Sequence, residues 1–598
     1  MSPSVSGFIG LDPKAPKSQY IPKVQDWDKA AAKAGELVAK LNITEKTDTV
    51  TGSLSDGSGT GYVGRIRPVE RVGFHGICLL DGPNAVNRAD LVSIFPSGLS
   101  AAASWDRQAL LERGIALAEE FKAKGGHVIL GHILIFFESQ PTLDELGNLF
   151  LIARGADTEK VPPLVPLDVT PLELGFRGYV VSDWFATHST SVAANADFDV
   201  EQPGDLPPGV TVSHSGGGYH GSRLVEAVQA GNITEERIDE MVTNLLTPGS
   251  KHAFLLTLSN SGWTSKFLQG LGPSIAGRDV LGDHHKLIRK HGASASVLLK
   301  NKNEFLPLAL AKSRNIGVFG NAATDPTEGL FYTETSDPLY RPEHGPITAI
   351  RSHASKTNAM VQHLASHDLI SKNDFRSIYP VPDVCVVFLK SWAAETHDRL
   401  SFELDWNSTA VVKNVANFCG ANKTVVVTNS ALVNTLPWAN NDNVTAILAT
   451  QFPGQEIGNS IIDVLCGQIE PSGRLPYTIP KNEEDYDFPV VNITELIRVL
   501  TKVKKTETRK GSTVVQLYLE DAPVRVLRGF EKVELSSKKS KKIEFALKRR
   551  DVRYWDVAAQ QGRIPKGEFK LSIGLVLETF SRRQRPMSLD SLTILCSI

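Results

Sequence analysis

The spacing of apolar positions changes along the chain, and each change predicts a different kind of element. From Asp26, Ala34, Leu37, Val38 and Leu41 recur at helical spacing, predicting an amphipathic helix that ends near LNITEK. Asp106 then reads as a helix N-cap, Leu111, Ile115, Ala118 and Phe121 as its apolar stripe, and Gly125 as its stop before a strand at His127 to Leu130. That is one αβ unit. SRLVEAVQAGN and TEERIDEMVTNLL are further helices, and Leu255 to Gly282 is a polar connection. Beyond about residue 290 the β-branched runs NIGVFG, DVCVVFL, KTVVVTNS and VTAILAT alternate with helical candidates at NSTAVVKNVANF and GQEIGNSIIDVL, as in an α/β sandwich with a largely parallel sheet. From about 505 the period becomes two, in STVVQLYLE, VRVLRGFEKVEL, KKIEFALKRRDVRYWD and KGEFKLSIGL, predicting an antiparallel sandwich whose Lys and Arg clusters are solvated strand faces.

Length and charge narrow the picture. At 598 residues the chain is too long for one core, and 41% hydrophobic with 22% charged residues is an ordinary globular balance. A net charge of −2 gives no reason to expect nucleic acid or a membrane as partner, and no apolar run is long enough to span a bilayer. The ligand expected is small and neutral. Five scattered cysteines, Cys78, Cys385, Cys419, Cys466 and Cys596, indicate neither a zinc site nor a disulfide framework and read as small buried hydrophobes. Sequons at Asn42, Asn232, Asn407, Asn422, Asn443 and Asn492 suit a secreted protein, whereas the Pro- and Ser-containing N-terminus lacks the apolar core of a signal peptide.

Two carboxylates stand where strands stop. Tyr179, Val180 and Val181 form an apolar run that ends in Ser182, Asp183 and Trp184, and GFHGICLLDGP places Asp81 directly after another such run. The carboxyl ends of parallel strands form the ligand-binding edge of barrels and open α/β sheets. The alternatives are a helix cap for Asp183, a turn former before Gly82 and Pro83 for Asp81, and a core residue for Trp184. GVFGNAA lacks the further glycines and acidic partner of a dinucleotide site.

The stretch LGFRGYVVSDW, with QPGD at Gln202 to Asp205, resembles the nucleophile segment of glycoside hydrolase family 3. The resemblance implies that Asp183 is the catalytic nucleophile. It also implies that Asp81 holds hydroxyls of the terminal sugar and that Trp184 offers an apolar face to the ring. Where the family continues with Leu-Gly-Val/Ile-Arg, this chain has Asn84, Ala85, Val86 and Asn87, so Asn87 replaces the Arg and Arg88 comes one place late. FLKSWAAETHDRLSFELDW resembles the family's Ser-Trp-x-x-Glu-Gly-x-Asp-Arg loop, making Glu395 the implied general acid/base, with Thr396 where the family has Gly. Without the flanking matches Glu395 reads as an exposed loop residue. QFPGQEIGNSIIDVLCGQIEPSGRLPYTIPK also matches the family and carries fold identity without chemistry.

Matching blocks run from about Asp26 to the C-terminus, with gaps between them. After Gly131 only about forty residues precede the next match, where the family carries several βα units including a Lys-His strand end. His132 is the one residue there that could be a remnant of that pair, and a lone His beside an apolar run is ordinarily structural. The fold expected is therefore α/β: an incomplete TIM-like (β/α)8 barrel, an α/β sandwich and a C-terminal fibronectin type III-like β-sandwich. Its limits are an extension at 1–25, the shortened barrel-like domain at 26–290, the sandwich at 291–488 and the fibronectin-like domain at 505–598. VNITELIRVLTKVKKTETRKG reads as the connection between the last two, and the front of the fibronectin-like sandwich as shortened.

The function implied is that of a retaining β-glucosidase acting on terminal β-D-glucosyl residues, with no metal or cofactor. Its two carboxylates must approach to about 5 to 5.5 Å. The competing expectation is a catalytically impaired carbohydrate-binding relative or a truncated gene product, supported by the missing Lys-His strand, Asn87 and Thr396. The resemblance implies secretion, and the visible N-terminus leaves an intracellular protein open.

Overall fold

The computed structural model describes residues 27–53, 62–87, 89, 91–130, 178–182, 184–185, 187, 189–205, 218–252, 279–308, 314–324, 345–391, 401–430, 433–481, 497–505, 511–519, 526–547, 554–556, 561–563, 568–574, 587–589 and 593–597. They form two compact units. The first draws its described residues from Met1–Leu91, Glu119–Phe136 and Pro141–Val280, and the second from Val92–Ala118, Phe137–Gln140 and Leu281–Ile598.

In the first unit the expected helix runs over Trp27–Val38 and buries Ala34 and Val38. A second helix, Ile43–Thr49, starts at once because Asn42 Oδ1 accepts the Glu45 N–H at 2.9 Å while Glu45 Oε2 accepts the Asn42 N–H at 2.9 Å. This reciprocal cap satisfies two N–H groups that a helix start leaves open. Five short strands follow: β1 (Thr51–Ser53), β2 (Gly64–Ile66), β3 (Ile77–Asp81), β4 (Val128–Leu130) and β5 (Glu201–Asp205). They pair in the order β4-β3-β2-β1-β5. β2 runs antiparallel to both neighbours, while β1 with β5 and β3 with β4 are parallel. A parallel bridge, Val181 to Val200, extends the sheet beyond β5. The apolar run at 179–181 thus contributes one bridge pair, and among the described residues the sheet does not close: this is an incomplete barrel. Helices Trp27–Val38 and Glu235–His252 supply Ala34, Val38, Met241, Val242 and Leu245 to the core that Ile66, Ile77, Leu79, Val181 and Val200 supply from the sheet.

The helix after Asp106 forms over Arg107–Ala123, with Asp106 Oδ1 accepting the N–H groups of Gln108 and Ala109 at 3.1 Å. Its buried face differs from the expected stripe. Leu111 and Ala118 are exposed, and Arg113, Ala116, Leu117, Glu120 and Phe121 are buried. Arg113 tolerates burial because its Nε donates to the Pro96 carbonyl at 2.7 Å, so hydrophobicity alone misplaces the face.

In the second unit, β6 (Val297–Asn301), β7 (Asn315–Phe319), β8 (Met360–Leu364), β9 (Val384–Lys390), β10 (Thr424–Asn429) and β11 (Val444–Ala449) form one sheet in the order β6-β11-β10-β9-β7-β8. All are parallel except β6, which runs antiparallel to β11. Cys385 of β9 and Cys419 at the end of helix Ser408–Cys419 form a disulfide, correcting the expectation that the cysteines are only small hydrophobes. Both lie in one core where that helix covers the sheet, so tertiary packing pairs them across 34 residues of sequence.

The last strands are β12 (Ile497–Lys505), β13 (Gly511–Leu519), β14 (Val526–Leu535), β15 (Ser540–Leu547), β16 (Tyr554–Asp556), β17 (Gln561–Arg563), β18 (Glu568–Gly574), β19 (Met587–Leu589) and β20 (Thr593–Ser597). Antiparallel sheets β15-β12-β19 and β14-β13-β18-β20 give the three-plus-four strand count of a fibronectin-like sandwich. The stretch read as a connection is therefore partly strand β12. Val503 is fully buried between exposed Lys502 and Lys504, and this alternation is masked in the sequence by a high lysine content.

Candidate active site

Strand direction assembles the site in the first unit. Because β2 alone is reversed, the carboxyl ends of β1, β3, β4, β5 and the Val181 bridge all face one edge. Asp81 ends β3 at that edge, in register with Leu130, and is partly exposed. The turn after it is tight, since a Cβ on Gly82, whose φ is 146°, would lie 1.5 Å from the Ala85 carbonyl oxygen. The Asn87 N–H donates to the Asp81 carbonyl at 3.0 Å, so the residue in place of the family's Arg closes this turn through its backbone.

Trp184 comes to the same edge. Its indole N–H donates to the Val63 carbonyl at 3.3 Å, and its ring lies over Gly64, where a Cβ would be 2.8 Å from Cζ2. Gly64 pairs with Leu79, two residues before Asp81. Trp184 is half-buried and packs against the core beside that carboxyl edge. Asp183, Arg88 and His132 lie outside the described residues. The next described helix, Ser191–Asn195, has Thr190 at its N-cap, without a side-chain cap hydrogen bond.

The chain on either side of Asp183 is closely bonded. Asp199 Oδ2 accepts the Val180 N–H at 2.9 Å, and the Ser182 N–H donates to the Val200 carbonyl at 2.9 Å. Ser182 Oγ accepts the Gln202 N–H at 2.7 Å and donates to the Gln202 carbonyl at 3.2 Å. That carbonyl also accepts the Phe185 N–H at 3.0 Å.

Below the edge is a buried polar group that the sequence did not mark. Asp199 is reached by Arg237 Nη2 at 3.2 Å and Asn244 Nδ2 at 3.3 Å. Burial pushes its carboxyl up to about 6, against the opposing pull of Arg237. Burial likewise raises Glu201 to about 7, although the N–H groups of Tyr219 and His220 donate to it at 2.9 and 2.7 Å. Burial lowers His220 to about 4 and keeps its imidazole neutral, with Nδ1 3.1 Å from the Val50 carbonyl. The Gln202 amide is fully buried against the glycine faces of β1 and β2, where a Cβ on Gly52 would lie 2.1 Å away, and neither of its polar atoms has a hydrogen-bond partner among the described residues. In the sequence Gln202 lies within the QPGD match and Glu201 directly precedes it, and nothing there marks Asp199 or His220.

The second unit presents a carboxyl edge of its own. With β7 to β11 taken as strands one to five, the order is 2-1-3-4-5, whose switch point falls between β7 and β9. The segment 392–400, with Glu395 and Thr396, follows the carboxyl end of β9 and lies outside the described residues. Its flanks are held. Ser391 Oγ bonds Ser430 Oγ, Asn434 Nδ2 donates to Ser430 Oγ at 2.8 Å, and Lys390 Nζ lies 5.4 Å from the Trp406 ring centroid. No group of three or more His, Cys, Asp or Glu among the described residues could hold a metal ion, and no described helix is long and apolar enough to cross a membrane.

The glycosyl hydrolase family 3 C-terminal domain matches residues 296–524 and a fibronectin type III-like domain matches 513–575. Probable β-glucosidase G of Aspergillus flavus is 31% identical, over 97% of this chain and 94% of that protein. The chain belongs to glycoside hydrolase family 3. It is a glycoside hydrolase of the β-glucosidase type. Probable β-glucosidase M of Emericella nidulans is more distant, at 26% identity over 95% of this chain and 94% of that protein. Among solved structures, a β-glucosidase from Chaetomella raphigera shares the fold with a TM-score of 0.75 at 24% identity, covering 96% of this chain and 100% of that one. The Aspergillus flavus alignment spans 784 positions, and 97% of 598 residues is about 580, so about 200 positions of this family 3 chain are internal gaps.

Proposed function

We propose that the protein is a retaining β-glucosidase releasing terminal glucose from cello-oligosaccharides or other β-glucosides by double displacement. Asp183 attacks the anomeric carbon and the glycosidic C–O bond breaks, while Glu395 gives its proton to the departing oxygen. Water then loses a proton to Glu395 and attacks the same carbon, freeing Asp183. Asp81 holds sugar hydroxyls and Trp184 carries the ring. The observation that most supports this reading is the meeting of Asp81, Trp184 and the bonded flanks of Asp183 at one carboxyl edge in a family 3 chain. We place the domain limits at 26–290, 291–488 and 505–598. We assign the protein to the secretory route, supported by the Cys385–Cys419 disulfide and by exposed sequon residues Asn42, Asn232, Asn407 and Asn422.

Proton NMR of an aryl β-glucoside digest tests the stereochemistry: β-glucose forms first and then mutarotates, and α-glucose formed first contradicts the mechanism. A second reading, a carbohydrate-binding relative with impaired turnover, is favoured by the internal gaps and by a sheet that does not close among the described residues. It predicts glucose binding by calorimetry without hydrolysis.

A further inference from the structure

We propose that the Ser182 hydroxyl is a positioning group for Asp183, locking the segment that bears the nucleophile onto the Gln202 peptide; this rests on the assignment of Asp183 as nucleophile. Ser182 has no exposed surface, and its Oγ takes both places that a neighbouring strand would take on Gln202, accepting from the N–H at 2.7 Å and donating to the carbonyl at 3.2 Å. The same carbonyl accepts the Phe185 N–H at 3.0 Å. One peptide unit therefore holds the chain directly before Asp183 and two residues after it. Trp184, between those anchors, is tied to the residue before β2 through the Val63 carbonyl.

The segment is short of backbone pairing, since among the described residues its own strand is one bridge pair long. Val181 pairs with Val200, and a regular ladder would continue through backbone groups. Here a side chain continues it. A short serine side chain supplies donor and acceptor from one atom, which alanine cannot, and a buried Gln202 N–H left without its acceptor would shift to find another. Displacement of a reacting oxygen by about 1 Å costs as much as a hundredfold in rate, so the bond is worth more to the chemical step than to binding.

The test is trapping with 2,4-dinitrophenyl 2-deoxy-2-fluoro-β-glucoside. The Asp183 oxygen forms a bond to C1, the C1–O bond breaks and dinitrophenolate leaves with its electron pair. The fluorine slows the following hydrolysis, so intact mass spectrometry counts glycosyl-enzyme. Ser182→Ala is expected to label about tenfold to a hundredfold more slowly at saturation, with the half-saturating concentration unchanged. Ser182→Cys, which keeps the volume with a poorer partner, falls between, and serves if the alanine variant does not fold. Thr247→Ala removes a buried hydroxyl bonded to the Thr243 carbonyl within helix Glu235–His252 and labels like wild type. Equal rates for the Ser182 variants and wild type overturn the proposal, as does equal slowing in Thr247→Ala. Absence of label in folded wild-type protein is a different failure, because it removes the nucleophile assignment itself.

Discussion

Glu201 carries a carboxylate that is almost wholly buried, and two backbone N–H groups do not repay its lost hydration. With its carboxyl raised to about 7, the folded chain binds a proton there that the unfolded chain has released. This group's contribution to stability therefore falls as pH rises from about 4.5 to about 7, by about 3 kcal/mol across the window. Glu201→Gln does not titrate. Relative to wild type, it should gain stability progressively between pH 5 and pH 7.5 in urea denaturation, and a constant difference would show that the burial cost is not felt. Such residues are hard to read from sequence. Asp81 stood out because an apolar run ends on it, whereas Asp199 and Glu201 look like any surface acid. The partners that make them buried groups, Arg237 and the Tyr219 and His220 amides, come from elsewhere in the chain.

At the scale of elements, legibility followed burial. β9, β10 and β11 are buried along nearly their whole lengths, so unbroken β-branched runs announced them. β8 is an edge strand whose Met360 and His363 are exposed, and its polar sequence gave no such run. β12 was hidden by its lysines. The disulfide was hidden by an odd cysteine count and by a separation that sequence cannot bring together. Closing a loop of 34 residues, Cys385–Cys419 should stabilise the second unit by about 3 to 4 kcal/mol through the entropy of the unfolded chain. The double variant Cys385→Ala, Cys419→Ala should lower the denaturant midpoint of that unit, and an unchanged midpoint would mean that the helix and strand are held by packing alone.

For the whole molecule, the question is what a family 3 chain does with about 200 fewer positions than the alignment to its relative spans. Strand number, tilt and register are linked in a barrel, and among the described residues this sheet has five strands and one bridge and does not close. We expect slow hydrolysis that nonetheless depends on Asp183. The most direct measurement is release of p-nitrophenol from its β-glucoside by purified wild-type protein beside Asp183→Asn and Glu395→Gln. The account predicts a low wild-type rate that falls to background in Asp183→Asn and drops strongly in Glu395→Gln. Hydrolysis that survives Asp183→Asn, or none at all from folded wild-type protein, would contradict it.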